Sequence, residues 1–133
     1  MSILLDTHVW VWSQAQPERL GPATTERIED PCRALYVSPV SSLEIARLAA
    51  HGRLELAPDV AGWVTASLDL LACATVEVGH DIATCAYALP GAFHRDPADR
   101  LLVATARVHG LTLLTADERI LAYPHVETLD ARS

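Results

Sequence analysis

Residues 94–117 read HRDPADRLLVATARVHGLTLLTAD, and this stretch decides the fold. Asp96 before Pro97 is a helix start: the carboxylate can accept amide hydrogens of the first turn, and proline is pre-set for the first helical position. Leu101, Leu102, Ala104, Thr105 and Val108 then mark a buried helix that stops at Gly110. Leu111 to Thr115 follows at once as an apolar strand, and Asp117 opens a further short helix. A helix that passes through a single glycine into a strand is the repeating unit of a parallel α/β sheet.

The same alternation extends toward both ends of the chain. Ile3, Leu4 and Leu5 form an all-apolar run closed by Asp6, as in a strand covered on both faces, and a helix is expected from Thr7. Further helices are predicted from about Pro22 to Asp30, from Ser41 to about His51 with Gly52 as its cap, from Pro58 to about Ala72, and from Asp81 to Leu89. Strands are predicted at Ala34 to Ser38, Thr75 to Val78 and Val126 to Leu129. The order is strand and helix throughout, without repeat, low-complexity tract or linker, so a single α/β domain over 1–133 with a mostly parallel sheet is expected.

The composition narrows the chemistry. The chain has 133 residues, 50% hydrophobic and 20% charged, with a net charge of -7. Its basic residues, 10 in all, are arginines without exception, which excludes Schiff-base chemistry and a P-loop lysine. The histidines show no H-E-x-x-H pairing and no G-x-S-x-G elbow is present, so zinc and serine hydrolases are not indicated. Cys32, Cys73 and Cys85 are widely spaced and read as reduced thiols without a catalytic role. No apolar run approaches the roughly 20 residues of a membrane span, and no basic leader precedes the first strand, so a cytoplasmic protein is expected.

Carboxylates remain as the candidate chemical groups. In an open parallel sheet, ligands gather beyond the carboxyl ends of the strands. Asp6 and Asp117 follow strands, whereas Glu44, Asp96 and Asp99 stand in first turns of helices. Brought to one edge, they would repel one another unless cations intervene, and oxygen ligands alone select Mg²⁺ or Mn²⁺. Such ions activate water against phosphodiesters. Each acid also has a local role open to it: Asp6, Asp96 and Asp117 can cap helices, Asp99 can answer the Asp96 cap, and Glu44 fits a capping box with Ser41.

The matching residues place the chain in a known context. It resembles the PIN (PilT N-terminus) domain, and within it the VapC-type toxins of bacterial toxin–antitoxin pairs, through Leu4-Leu5-Asp6-Thr7-His8, Ser38 to Ile45, Gly52-Arg53-Leu54, Phe93 to Ala106 and Leu114-Thr115-Ala116-Asp117. The resemblance implies a three-layer α/β/α fold with a central sheet of about five strands, usually a homodimer. It further implies a Mg²⁺- or Mn²⁺-dependent endoribonuclease held inactive by a VapB-type antitoxin. The family's acidic site falls on Asp6, Glu44, Asp99 and Asp117, with Asp96 auxiliary and Thr115 as the supporting hydroxyl. Arg47, Arg53, Arg95 and Arg100 are the candidate guides for RNA, with Arg100 alternatively orienting Asp99. His8 and His94 adjoin the site without being needed as ligands. Trp10, Trp12 and Trp63 could stack bases, but packing is their expected use. A PIN-like module that binds RNA or protein without cutting is the alternative. A phosphatase ranks below it, since His8 stands where that chemistry would place a second aspartate.

Overall fold

The computed structural model describes residues 1–133. Its sheet is fully parallel, with strands β1 (Ser2–Leu5), β2 (Ala34–Val37), β3 (Ala74–Thr75), β4 (Thr112–Thr115) and β5 (Thr128–Asp130) in the order β3-β2-β1-β4-β5. The chain leaves β1 for β2 and β3 on one side, then crosses to β4 and β5 on the other. The reversal falls between β1 and β4, where an open α/β sheet leaves a crevice at its carboxyl edge.

The helices are α1 (Thr7–Ala15), α2 (Pro22–Glu29), α3 (Pro39–Ala50), α4 (Val60–Leu71), α5 (His80–Cys85), α6 (Pro97–His109) and α7 (Glu118–Leu121), with a 3-10 turn at Pro17–Arg19. Ile3, Leu4 and Leu5 are all 0% exposed, but they divide between two cores because side chains alternate along a strand. Ile3 and Leu5 pack with Val9, Trp10, Ile28, Ile45 and Leu71 of α1 to α4. Leu4 packs with Ile82, Leu102, Val103 and Ile120 of α5 to α7. The result is the expected three-layer α/β/α arrangement. No helix is long and apolar enough to cross a membrane.

Four element boundaries depart from expectation, two of them for reasons legible in the hydrogen bonds. The α3 helix begins before Ser41, because Ser38 accepts the Val40 amide hydrogen at 3.1 Å and Pro39 takes the first helical position. The capping box between Ser41 and Glu44 therefore does not form, and both side chains are free for other partners. At the far end, Gly52 has φ +68°. Its N–H donates to Ala49 O and that of Arg53 to Leu48 O, a paired closure that favours glycine. The α5 helix stops at Cys85 rather than Leu89, since the next turn tightens and the Ala86 carbonyl is taken by Arg100. Strand β3 is two residues long and shares only Thr75 with the predicted Thr75 to Val78, while β5 is shifted toward Asp130.

Candidate active site

The site starts with the way β1 ends. Asp6 extends the β1–β4 ladder by donating its N–H to Leu114 O at 3.0 Å, then turns into α1 as its N-cap, with Oδ1 accepting from Thr7 N at 2.7 Å. Its other oxygen accepts from Thr115 Oγ1 at 2.7 Å. Thr115 is 0% exposed, and the same hydroxyl accepts the Asp117 N–H at 3.0 Å. One buried hydroxyl thus fixes the ends of two neighbouring strands and the acids that follow them.

Asp117 caps α7, with Oδ1 accepting from Arg119 N at 2.8 Å, while Oδ2 lies 3.3 Å from Arg119 Nη2. Asp99 sits in the first turn of α6, only 9% exposed, and its Oδ2 is 2.6 Å from His94 Nε2 and 3.8 Å from Arg119 Nη2. Asp96 caps α6 through Ala98 N at 2.9 Å and Asp99 N at 3.3 Å. Glu44 lies on α3, where Thr7 Oγ1 donates to its Oε1. The Thr7 and Ser41 hydroxyls, 2.9 Å apart, tie α1 to α3 at this point.

These elements enclose a cleft of about 360 Å³ whose lining includes Asp6, Glu44, Asp96, Asp99 and Asp117, together with Arg47 and Arg119. The expected convergence of the acids on one edge is therefore observed. Their electrostatics follow from it. Burial raises the proton affinity of Glu44, and the charges of Asp6, Asp99 and Asp96 raise it further, against the opposing Thr7 hydrogen bond. Burial likewise raises the Asp99 carboxyl, which the His94 hydrogen bond only partly offsets and which Asp6, Asp96 and Asp117 push higher. At Asp117 burial acts in the same direction, but the hydrogen bonds and charge of Arg119 outweigh it and hold that carboxyl low.

The cleft presents hard oxygen donors and no thiolate. His8 is not free to bind an ion through Nε2, which accepts the Ala116 N–H at 2.9 Å. No three His, Cys, Asp or Glu side chains already stand as a ligand group; Asp99 is turned to His94 and Asp117 to Arg119. The donor set suits a hard divalent cation, which would draw these carboxylates from their present partners.

The arginines divide. Arg47 lines the cleft, whereas Arg53 and Arg95 are exposed and stand outside its lining. Arg100 departs from its expected RNA-guiding role. Its guanidinium donates to the carbonyls of His94 at 2.9 Å, Ala86 at 3.0 Å and Phe93 at 2.8 Å and lies over Tyr87 and Phe93. It organises the loop that carries His94 instead of facing solvent or orienting Asp99 directly. Thr7 and Arg119 are participants that the sequence reading did not single out, and His94, expected only to adjoin the site, is a direct partner of Asp99. Only nearness to Asp6, Asp99 and Asp117 marked them, and nearness in sequence does not reveal a side chain's partner. Of the cysteines, none is paired, and burial pushes the Cys73 thiol up to about 11.

A parallel sheet whose switch point opens into a pocket of carboxylates defines a class of α/β domain. Comparison narrows it. A family model of the PIN domain matches residues 3–126, and the chain is 40% identical over 124 residues to Ribonuclease VapC22 of Mycobacterium tuberculosis (strain ATCC 25618 / H37Rv), covering 93% of each. It also superposes on a chain of VapBC2 from Rickettsia felis bound to a promoter DNA fragment, with a TM-score of 0.68 at 13% identity, covering 97% and 98% of the two chains. A chain of VapBC-5, from the VapBC family of toxin–antitoxin systems of M. tuberculosis, gives 0.60 at 22% identity, covering 96% and 97%. The chain belongs to the PIN-domain family.

Proposed function

We propose that this protein is a divalent-metal-dependent endoribonuclease, the toxin of a type II toxin–antitoxin pair, working as one domain over 1–133. The observation that carries the reading is the 40% identity, across 93% of the chain, to a protein named as a ribonuclease. The carboxylate cleft supplies the matching chemistry. Asp6, Asp99 and Asp117 would hold Mg²⁺ or Mn²⁺, with Glu44 completing the set and Asp96 at the rim. Such an ion polarises a phosphodiester and lowers the pKa of a bound water.

The remaining work falls to the chain's own groups. Thr115 and Thr7 keep Asp6 and Glu44 oriented before RNA arrives. Glu44 holds Thr7 with Oε1, and its second oxygen is the acceptor for the proton of the attacking water. Its raised proton affinity suits that part. Arg47 meets the RNA phosphate within the cleft, and exposed Arg53 and Arg95 lead the strand to it, since so acidic a chain must place its cations where phosphate arrives. A VapB-type antitoxin with a cationic segment fits the acidic cleft by charge complementarity, and the VapBC complexes among the structural relatives support such a partner. A second copy of the chain completes a homodimer, and the pair acts in the cytoplasm.

The test is incubation of the purified, partner-free chain with cellular RNA in Mg²⁺, in Mn²⁺ and in EDTA. Cleavage confined to the metal-containing reactions is expected. A folded, metal-loaded chain that cuts no RNA would leave the noncatalytic binding module in its place.

A further inference from the structure

The floor of the cleft is acidic, but one wall is not. Val11 and Trp12 of α1 line it, with Leu48 of α3 and Leu54 just beyond that helix. Trp12 is unlike the other two tryptophans. Trp10 is 0% exposed, donates from Nε1 to Ser67 Oγ at 2.9 Å and packs against Trp63 with ring centroids 5.5 Å apart. Trp12, two positions on, points to the other side of the helix and has no place in either core. It is half-buried at the cleft, its ring 4.9 Å from that of His8.

Its face already accepts a planar group. The exposed Arg19, which is not among the residues lining the cleft, lays its guanidinium 4.1 Å from the Trp12 ring centroid. That guanidinium is held from within the chain, so a base stacking on this face takes the place of the exposed Arg19. The volume of about 360 Å³ falls within the range of sites that hold small ligands. It has room for a nucleotide.

We propose that Trp12, backed by Val11, Leu48 and Leu54, is a shelf that stacks one unpaired base of the RNA beside the scissile phosphate, while Arg47 meets an adjoining phosphate. The assignment rests on the ribonuclease reading above. The shelf takes an unpaired base, because a base held in a helix is not available to stack on a side chain.

The experiment compares the wild type with Trp12→Ala and Trp12→Phe in Mn²⁺, on an unstructured RNA oligonucleotide and on the same sequence paired in a duplex. Mn²⁺ affinity serves as the control for an intact site. Stacking on an aromatic side chain predicts a roughly 5- to 150-fold loss of kcat/KM in Trp12→Ala, mostly through KM. Trp12→Phe should recover most of it, and the duplex should be cut poorly by all three. Equal cleavage of the single strand by wild type and Trp12→Ala overturns the shelf. So does a Trp12→Ala chain that cleaves normally yet no longer binds a cationic partner peptide, which would make Trp12 a partner contact. If the wild type cuts no RNA, the ribonuclease reading fails separately. The shelf is then decided by whether single-stranded RNA quenches tryptophan emission of the Ca²⁺-loaded wild type and not of Trp12→Phe.

Discussion

Replacing Thr115 with valine removes one oxygen and keeps the side chain's shape, so the change isolates the hydroxyl that joins two acids. Thr115 is 0% exposed, and no cavity opens to add its own penalty. The substitution deletes a hydrogen bond to the Asp6 carboxylate at 2.7 Å, of the charged kind that contributes roughly 1.5–3 kcal/mol. It also leaves the part-buried Asp117 N–H without the acceptor it has at 3.0 Å, a loss toward the lower end of the roughly 1–3 kcal/mol of a buried donor. Asp6 keeps a face on the cleft where water can partly compensate, so the net expectation is about 3 kcal/mol, or about 10 °C in Tm for a domain of this size. Urea denaturation of the metal-free chain at pH 7, followed by tryptophan emission, measures it. Thr115→Ser, which keeps the hydroxyl and loses a methyl, should cost about 1 kcal/mol. A valine variant within about 0.5 kcal/mol of the wild type, or equal to the serine variant, would refute the bridging role.

Three further outcomes follow from the same site. Arg100→Lys should destabilise the chain by about 3 kcal/mol in the same denaturation assay, because an ammonium cannot reach three carbonyls at once; an unchanged midpoint would return Arg100 to the surface. Arg119→Ala should bind Mn²⁺ roughly two- to fivefold more tightly by titration calorimetry, since the ion no longer displaces an exposed guanidinium from Asp117 and Asp99; weaker binding would show Arg119 helping to hold the ion. Glu44→Gln should match or exceed the wild type in metal-free Tm at pH 7. Glu44 and Asp99 have raised folded-state proton affinities, so they destabilise the fold at neutral pH and cease to do so as pH falls through those raised values toward the unfolded ones. Asp117, held low, stabilises the fold at neutral pH and loses that contribution only as pH falls below the ordinary carboxylate range, toward its lowered value. The Glu44→Gln advantage should therefore narrow toward pH 4, and an advantage that grew on acidification would contradict it.

Local signals in the sequence proved sufficient wherever the deciding physics is local. The Ile3–Leu5 run reads as a doubly covered strand because every residue in it is apolar, and it is buried on both faces. Asp96-Pro97 and Gly110 bracket α6 as written, since a cap and a left-handed stop need only their own neighbours. Ser38, predicted as the last residue of a strand, caps α3 in place of Ser41, because Pro39 takes the first helical position. Four of the five acids stand where topology puts them, Asp6 and Asp117 beyond strand ends and Asp96 and Asp99 at the start of α6, whereas Glu44 lies in the second turn of α3 because that helix begins at Pro39; the partners of all five were not legible. Thr7 with Glu44, His94 with Asp99, and Arg100 with three carbonyls are meetings of separate elements whose geometry arises only when the helices pack. Arg119 is the clearest case, an exposed side chain two residues past Asp117 whose reach to Asp99 depends on where α6 begins.

The central claim is that the acids at the carboxyl edge hold the ion that cleaves RNA. The direct measurement is RNA cleavage in Mn²⁺ by the wild type and by Asp6→Asn, with Mn²⁺ binding measured on the same samples and folding confirmed by denaturation. The account predicts metal-dependent cleavage by the wild type, and a folded Asp6→Asn chain that loses both cleavage and tight Mn²⁺ binding. Equal cleavage by the two folded proteins would contradict it, and would place the activity outside this cleft.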